Sequence, residues 1–217
     1  AEELESHTRR AAALLELTGE VEGAVGLYLE AGDYDSATRL ILSEAAKLLS
    51  SGRWQTLVTW LRAFPPDFVE RTPWLSYWWG TSLIPVDQAE ARRLLEHCYR
   101  GMCACSDRIG RLLAAAGVID THFFEWSTFR PMDEWIHAIT EDLDPPPDFP
   151  SPDVELSVYS ALVMAMSCRE PGQPQLPRFV ERAEALLGSG AEVNRKATAG
   201  TFLLGYAYFA SDHALAK

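Results

Sequence analysis

Five residues between positions 97 and 122 are of the types that bind zinc: His97, Cys98, Cys103, Cys105 and His122. Structural zinc sites favour two pairs of ligands, with roughly two to four residues between the members of a pair. The spacing here fits that pattern poorly. Cys98, Met102 and Cys105 instead fall on one helical face, as small core residues do. Glu134 and His137 form Glu-x-x-His, half of a di-iron motif, but the second copy such a site needs is missing. A solvated polar face is the expected role for that pair. A phosphate-cradling loop would read G-x-x-x-x-G-K-[ST], and none occurs. Gly188-Ser189-Gly190 is a lone G-x-G after a helix, which predicts a helix cap. No G-x-S-x-G elbow supports a nucleophilic triad. The residues therefore predict no catalysis, no metal and no cofactor.

The remaining candidates are aromatic. Trp74, Tyr77, Trp78 and Trp79 cluster in six positions. Trp74, Tyr77 and Trp78 follow i, i+3, i+4 spacing, which predicts packing in a core. Trp79 lies about a hundred degrees round the helix from Trp78 and is the residue expected at the surface. Tyr77, Trp78 and Trp79 are therefore the candidate ligand or partner surface, able to stack on a sugar or grip a peptide.

The elements that would carry these residues are all helical. Val21, Ala24, Val25 and Tyr28 share one face; Gly32-Asp33 ends that helix. Ala37, Ile41, Ala45 and Leu48 form one stripe of the next helix, and Leu42, Ala46 and Leu49 a second beside it. So broad an apolar surface needs neighbours on more than one side. Before this hairpin, Glu2 to Thr18 reads as a helix with Leu4, His7, Ala11 and Leu14/Leu15 on its inner face. After it come helices at Trp54–Phe64, Trp74–Leu83 and Asp87–Gly101. Pro65-Pro66 ends the first of these, and Thr72-Pro73 starts the second. Cys105–Ala116 and Ile119–Phe129 read as two helices broken near Gly117. Pro131–Leu143 is amphipathic through Met132, Trp135, Ile136 and Ile139. Pro145-Pro146-Pro147 is the stiffest linker and marks a joint near 144–151. Helices from Pro152, at Pro177–Leu187 and at Glu192–Ala210 complete an all-α chain.

The bulk numbers narrow the partners. An apolar fraction of 47% over 217 residues predicts a folded chain. The net charge of −12 repels phosphate backbones, so no direct nucleic-acid contact is expected. No apolar run approaches the ~20 residues of a membrane span. Four unevenly placed cysteines predict reduced thiols in a cytoplasmic protein.

A tetratricopeptide-like pattern recurs. Gly32-Asp33-Tyr34-Asp35-Ser36-Ala37 has a turn glycine, an aromatic two residues on and a small alanine five on. Ser211-Asp212-His213-Ala214-Leu215-Ala216 repeats this spacing, preceded by Leu204-Gly205 and Tyr208. Gln88–Leu95 is a looser copy. The last hairpin has no room for a second helix, so a piece of a longer protein is expected. The fold predicted over 1–217 is a single TPR-like domain, a right-handed superhelix of antiparallel helical hairpins.

The run His7-Thr8-Arg9-Arg10-Ala11-Ala12, then Gly19, Ala24, Ala31-Gly32-Asp33 and Ala37, continues through Leu57, Trp60, Leu61, Phe64-Pro65, Arg71 and Pro73-Trp74-Leu75. Over about Ser6–Tyr99 this resembles the helical-repeat arm of MalT-like, LuxR-type bacterial transcriptional regulators of the STAND class. The resemblance implies a non-catalytic sensor arm, set between an NTPase core and an effector domain. It would bind a small-molecule inducer or protein segments of the same regulator. A stand-alone peptide-binding scaffold is the alternative. Neither an NTPase motif nor a helix-turn-helix occurs in this chain.

Overall fold

A computed structural model describes the backbone of residues 2–215 and the side chains of residues 3–208. It is all-α, with no strand among the described residues. The chain divides into two compact units, Ala1–Ser82 and Leu83–Lys217, so the Pro145–Pro147 linker lies inside the second.

The first unit comprises α1 (Glu2–Thr18), α2 (Val21–Glu30), α3 (Tyr34–Ser50), α4 (Trp54–Arg62), α5 (Pro66–Glu70) and α6 (Pro73–Leu83). The first four helices pack each on the next in chain order. Gly19, Gly32 and Gly52 close the first three, all at positive φ, where a Cβ would be strained. At Gly32 the backbone N–H groups of Gly32 and Asp33 donate to Leu29 and Tyr28. The Asp33 carboxylate then accepts from Ser36 N at 3.2 Å and caps α3. Ala24, Val25, Tyr28, Ala37, Ile41, Ala45 and Leu48 are buried as their spacing predicts. The second α3 stripe is only half covered, with Ala46 exposed.

One expectation for this unit is corrected, and one short helix was not expected. The face of α1 expected to point inward is largely exposed, with Leu4, His7, Ala11 and Leu14 at the surface. Ala12 is buried instead, flanked by partly buried Thr8, Leu15 and Glu16. Polar bonds fix that orientation: Glu16 accepts from the Tyr28 hydroxyl at 2.9 Å and from Arg39 at 2.8 and 2.9 Å. In addition, Pro66 opens the short helix α5 at its first position, where a missing N–H costs nothing. Phe68 on α5 then packs with Tyr34 and Phe64, ring centroids 5.3 and 5.5 Å away.

The second unit holds α7 (Gln88–Ala104), α8 (Arg108–Glu125), α9 (Met132–Asp142), α10 (Pro152–Arg169), α11 (Leu176–Leu187) and α12 (Val193–Leu215). Asp87, Asp107 and Ser151 cap α7, α8 and α10. The centre is α10, packed against α8, α9, α11 and α12 and buried without a break from Val158 to Ser167.

The break expected near Gly117 does not occur, since α8 is one continuous helix. Gly117 lies close against α7: a Cβ there would lie 3.1 Å from both Leu95 methyls. The glycine serves packing rather than termination. The helix ends at Glu125, short of the Phe129 expected. Cys98 and Met102 are buried on α7 as expected, but Cys105 is exposed in the turn beyond it. Finally, α12 runs helical to Leu215, so no turn forms at Ser211-Asp212. Ala216 and Lys217 lie outside the described residues.

Replacing Gly117 by leucine forces α7 and α8 apart. Urea denaturation should show a loss of about 1–3 kcal/mol. An unchanged midpoint would mean that the helices do not meet at this glycine.

Candidate functional site

The predicted aromatic trio sits on α6. Tyr77 is 7% exposed and meets Trp74 and Trp78 edge-on at 5.4 and 5.1 Å. Trp78 and Trp79 are half-buried and packed against the core of the first unit. The exposure expected of Trp79 is thus partial, and its indole Nε1 is buried with no hydrogen-bond partner. An orphaned donor costs about 1–3 kcal/mol, which marks this wall as polar-starved. Elsewhere in the first unit, a cleft of about 500 Å³ is lined by Val21, Glu22, Glu44, Lys47, Arg53 and Trp60 among others. Two ion pairs lie in it, Arg53 with Glu22 at 2.5 Å and Lys47 with Glu44 at 3.2 Å.

In the second unit the end of α8 presents a denser aromatic group. Phe123 meets Phe124, Trp126 and Phe202 edge-on, with centroids 5.5, 5.4 and 5.0 Å apart. Phe129 joins at 5.2 Å from Trp126. Phe202 is buried on α12, but Phe124 is 49% and Trp126 64% exposed. Trp126 is also the C-cap of α8 in the left-handed region, φ 51° and ψ 36°. That conformation costs a bulky residue about 1–2 kcal/mol where glycine would be free. A strained, outward tryptophan braced by two other rings is a ridge suited to docking. The sequence holds its signal, four aromatics within Phe123–Phe129 and no glycine at the helix end, but neither is a ligand spacing.

The ionisable candidates do not converge. Among the described residues no three His, Cys, Asp or Glu side chains gather to hold a metal. Burial pushes the Cys98 thiol up to about 12. Glu134 and His137 are exposed on α9, with His137 3.9 Å from Glu141, the solvated face expected. Gly188 is the C-cap of α11. No helix among the described residues is long and apolar enough to cross a membrane.

Two groups on α8 are perturbed, the buried His122 and the half-buried Asp120. His122 is 5% exposed and its Nδ1 has no partner; burial, reinforced by Arg92, lowers its pKa to about 4. The Asp120 Oδ1 is likewise sealed and unpartnered, and burial raises this carboxyl to about 7, with Arg195 opposing weakly. Asp120 and His122 are two residues apart, so they point to different sides of the helix and make no acid–base pair. Thr121 lies between them, donating to Val118 O at 2.7 Å and accepting from Arg92 at 3.1 Å. Arg92 also pairs with Glu125.

Comparison of the chain with family models, with curated proteins and with solved structures finds no match.

Because the folded-state pKa of Asp120 lies above its ordinary value, its protonated form favours folding. That contribution is complete below about pH 4 and disappears as pH rises to about 7. Asp120→Asn should therefore stabilise the protein at pH 8 by on the order of 2–4 kcal/mol, with the gain shrinking steadily towards pH 4. The contribution of His122, which falls as pH drops from about 6.5 to 4, is common to both proteins and cancels in the difference. Equal gains in thermal melts at pH 8 and pH 5 would rule out a neutral Asp120.

Proposed function

We propose that this chain is a non-catalytic helical interaction arm, built as a TPR-like superhelix of hairpins. We further infer that it serves as the sensor or partner-binding arm of a MalT-like, LuxR-type bacterial signal-transduction regulator. The observation that carries the first statement is the ridge of Phe123, Phe124, Trp126 and Phe129, held at the surface by a left-handed tryptophan. Burying an exposed aromatic side chain gains about 1.5–3 kcal/mol, so such a ridge stabilises a complex more than a free chain. The architecture is supported by the glycine-closed hairpins of the first unit and by α10 lying against both α8 and α12 in the second. The regulator reading rests on the resemblance over Ser6–Tyr99. A stand-alone peptide-binding scaffold is the second reading, favoured by the open clefts of the second unit.

Small-molecule thermal-shift screening and peptide calorimetry separate the two. A metabolite that raises the melting temperature supports the sensor arm. Peptide binding with no small-molecule response supports the scaffold. In either case Phe124→Ser with Trp126→Ser should leave the melting temperature nearly unchanged and weaken partner binding at least about tenfold. Full binding by that double variant would remove the ridge from the proposal.

A further inference from the structure

Two adjoining clefts open along α11, of about 630 and 340 Å³, and Arg178 lines both. Their floor is aromatic. Tyr159 lies between Phe149 and Phe179, with centroids 6.2 and 6.0 Å apart. Pro146 and Pro147 form a side wall. Tyr159 is only 6% exposed, yet its hydroxyl makes no hydrogen bond among the described residues. Burial, then Glu155, raises its pKa, so the hydroxyl keeps its proton and remains a donor. Arg178 likewise has no ion pair or hydrogen bond among the described residues. Its neighbour Arg182 is held by Glu155 through two bonds of 2.6 and 2.8 Å.

The charge balance sets the ligand class. With Glu155 and Arg182 neutralising each other, Glu141, Asp144, Asp148 and Glu181 remain against the single guanidinium of Arg178 and the imidazole of His137, 3.9 Å from Glu141. We propose that these clefts take an extended peptide segment rich in lysine or arginine. Its backbone carbonyls accept from the Tyr159 hydroxyl and Arg178, two donors in these clefts that make no hydrogen bond among the described residues. Its cationic side chains reach the four carboxylates, and their aliphatic stems lie on Phe149 and the prolines. This names a partner for the interaction arm proposed above and rests on that reading.

The test is fluorescence anisotropy on the full chain with two labelled, unstructured decapeptides of alternating glycine, one carrying arginines and one glutamates. The arginine peptide should bind at least about tenfold tighter than the glutamate peptide. Tyr159→Phe keeps the ring and should weaken binding about three- to tenfold, the worth of one hydrogen bond. Asp148→Asn with Glu181→Gln should weaken it by at least about fivefold. Glu3→Gln with Glu30→Gln makes the same charge change on the first unit and should change binding by less than about twofold. Equal weakening by the two double variants would show general attraction to a chain of net charge −12, and would overturn the proposal. So would an unchanged affinity in Tyr159→Phe. Preference for the glutamate peptide would sink this proposal and leave the interaction arm standing. Failure of both peptides, together with negative small-molecule and calorimetric screens, would remove both.

Discussion

The burial of α10 on every side is the constraint on which the second unit depends. Ten consecutive residues, Val158 to Ser167, leave solvent together, so the helix needs a neighbour in each direction. α8, α9, α11 and α12 supply them. Each large apolar side chain so buried stabilises the fold by about 1.5–3 kcal/mol. The serines in the run do not undo this. Ser167 donates to Val163 O at 2.6 Å and Ser160 to Ser157 O at 3.4 Å, so each hydroxyl finds its acceptor inside its own helix. Gly205 on α12 extends the same logic, since a Cβ there would lie 3.0 Å from the Met164 methyl.

A helix covered on all sides leaves its neighbours with outer faces to spare. The ridge at the end of α8 is exposed, and the larger cleft along α11 opens where that helix meets Glu155 and Tyr159 of α10. Ion pairs fasten the surroundings: Arg111 holds Asp142 at 2.8 and 2.6 Å, and Arg169 holds Asp133 at 2.6 and 2.8 Å. These pairs lower the Asp133 pKa and raise those of both arginines, as charge-assisted hydrogen bonds do. In the first unit Glu16 plays the equivalent part, gathering α1, α2 and α3 through Tyr28 and Arg39.

Much of this was legible in the sequence where a local rule decides. Gly32 and Asp33 act through bonds and a dihedral within a few residues, and the first hairpin turns where they predict. The inward faces of α2, α4, α7 and α9 follow because each has a single apolar side. α1 misled for the opposite reason. Its leucines look inward by composition, but Ala12 allows a closer approach to α2 and leaves Leu4 and Leu14 outside. Gly117 misled because a glycine that ends a helix and one that admits a neighbouring helix look alike until the neighbour is known. The site was less legible still. The Tyr77–Trp79 group was visible as composition, whereas the Trp126 ridge depends on a backbone conformation that tryptophan rarely adopts. The unused Tyr159 and Arg178 donors exist only once α10, α11 and Pro146–Phe149 are brought together.

Native-state hydrogen exchange on the second unit is the most direct measurement of this arrangement. If α10 is the covered centre, its amides from Val158 to Ser167 should be the slowest in the unit and should exchange only when the whole unit unfolds. The amides of Phe124 to Arg130 should exchange far faster. Protection of α10 no greater than that of α11 or α12 would contradict a stack built around it.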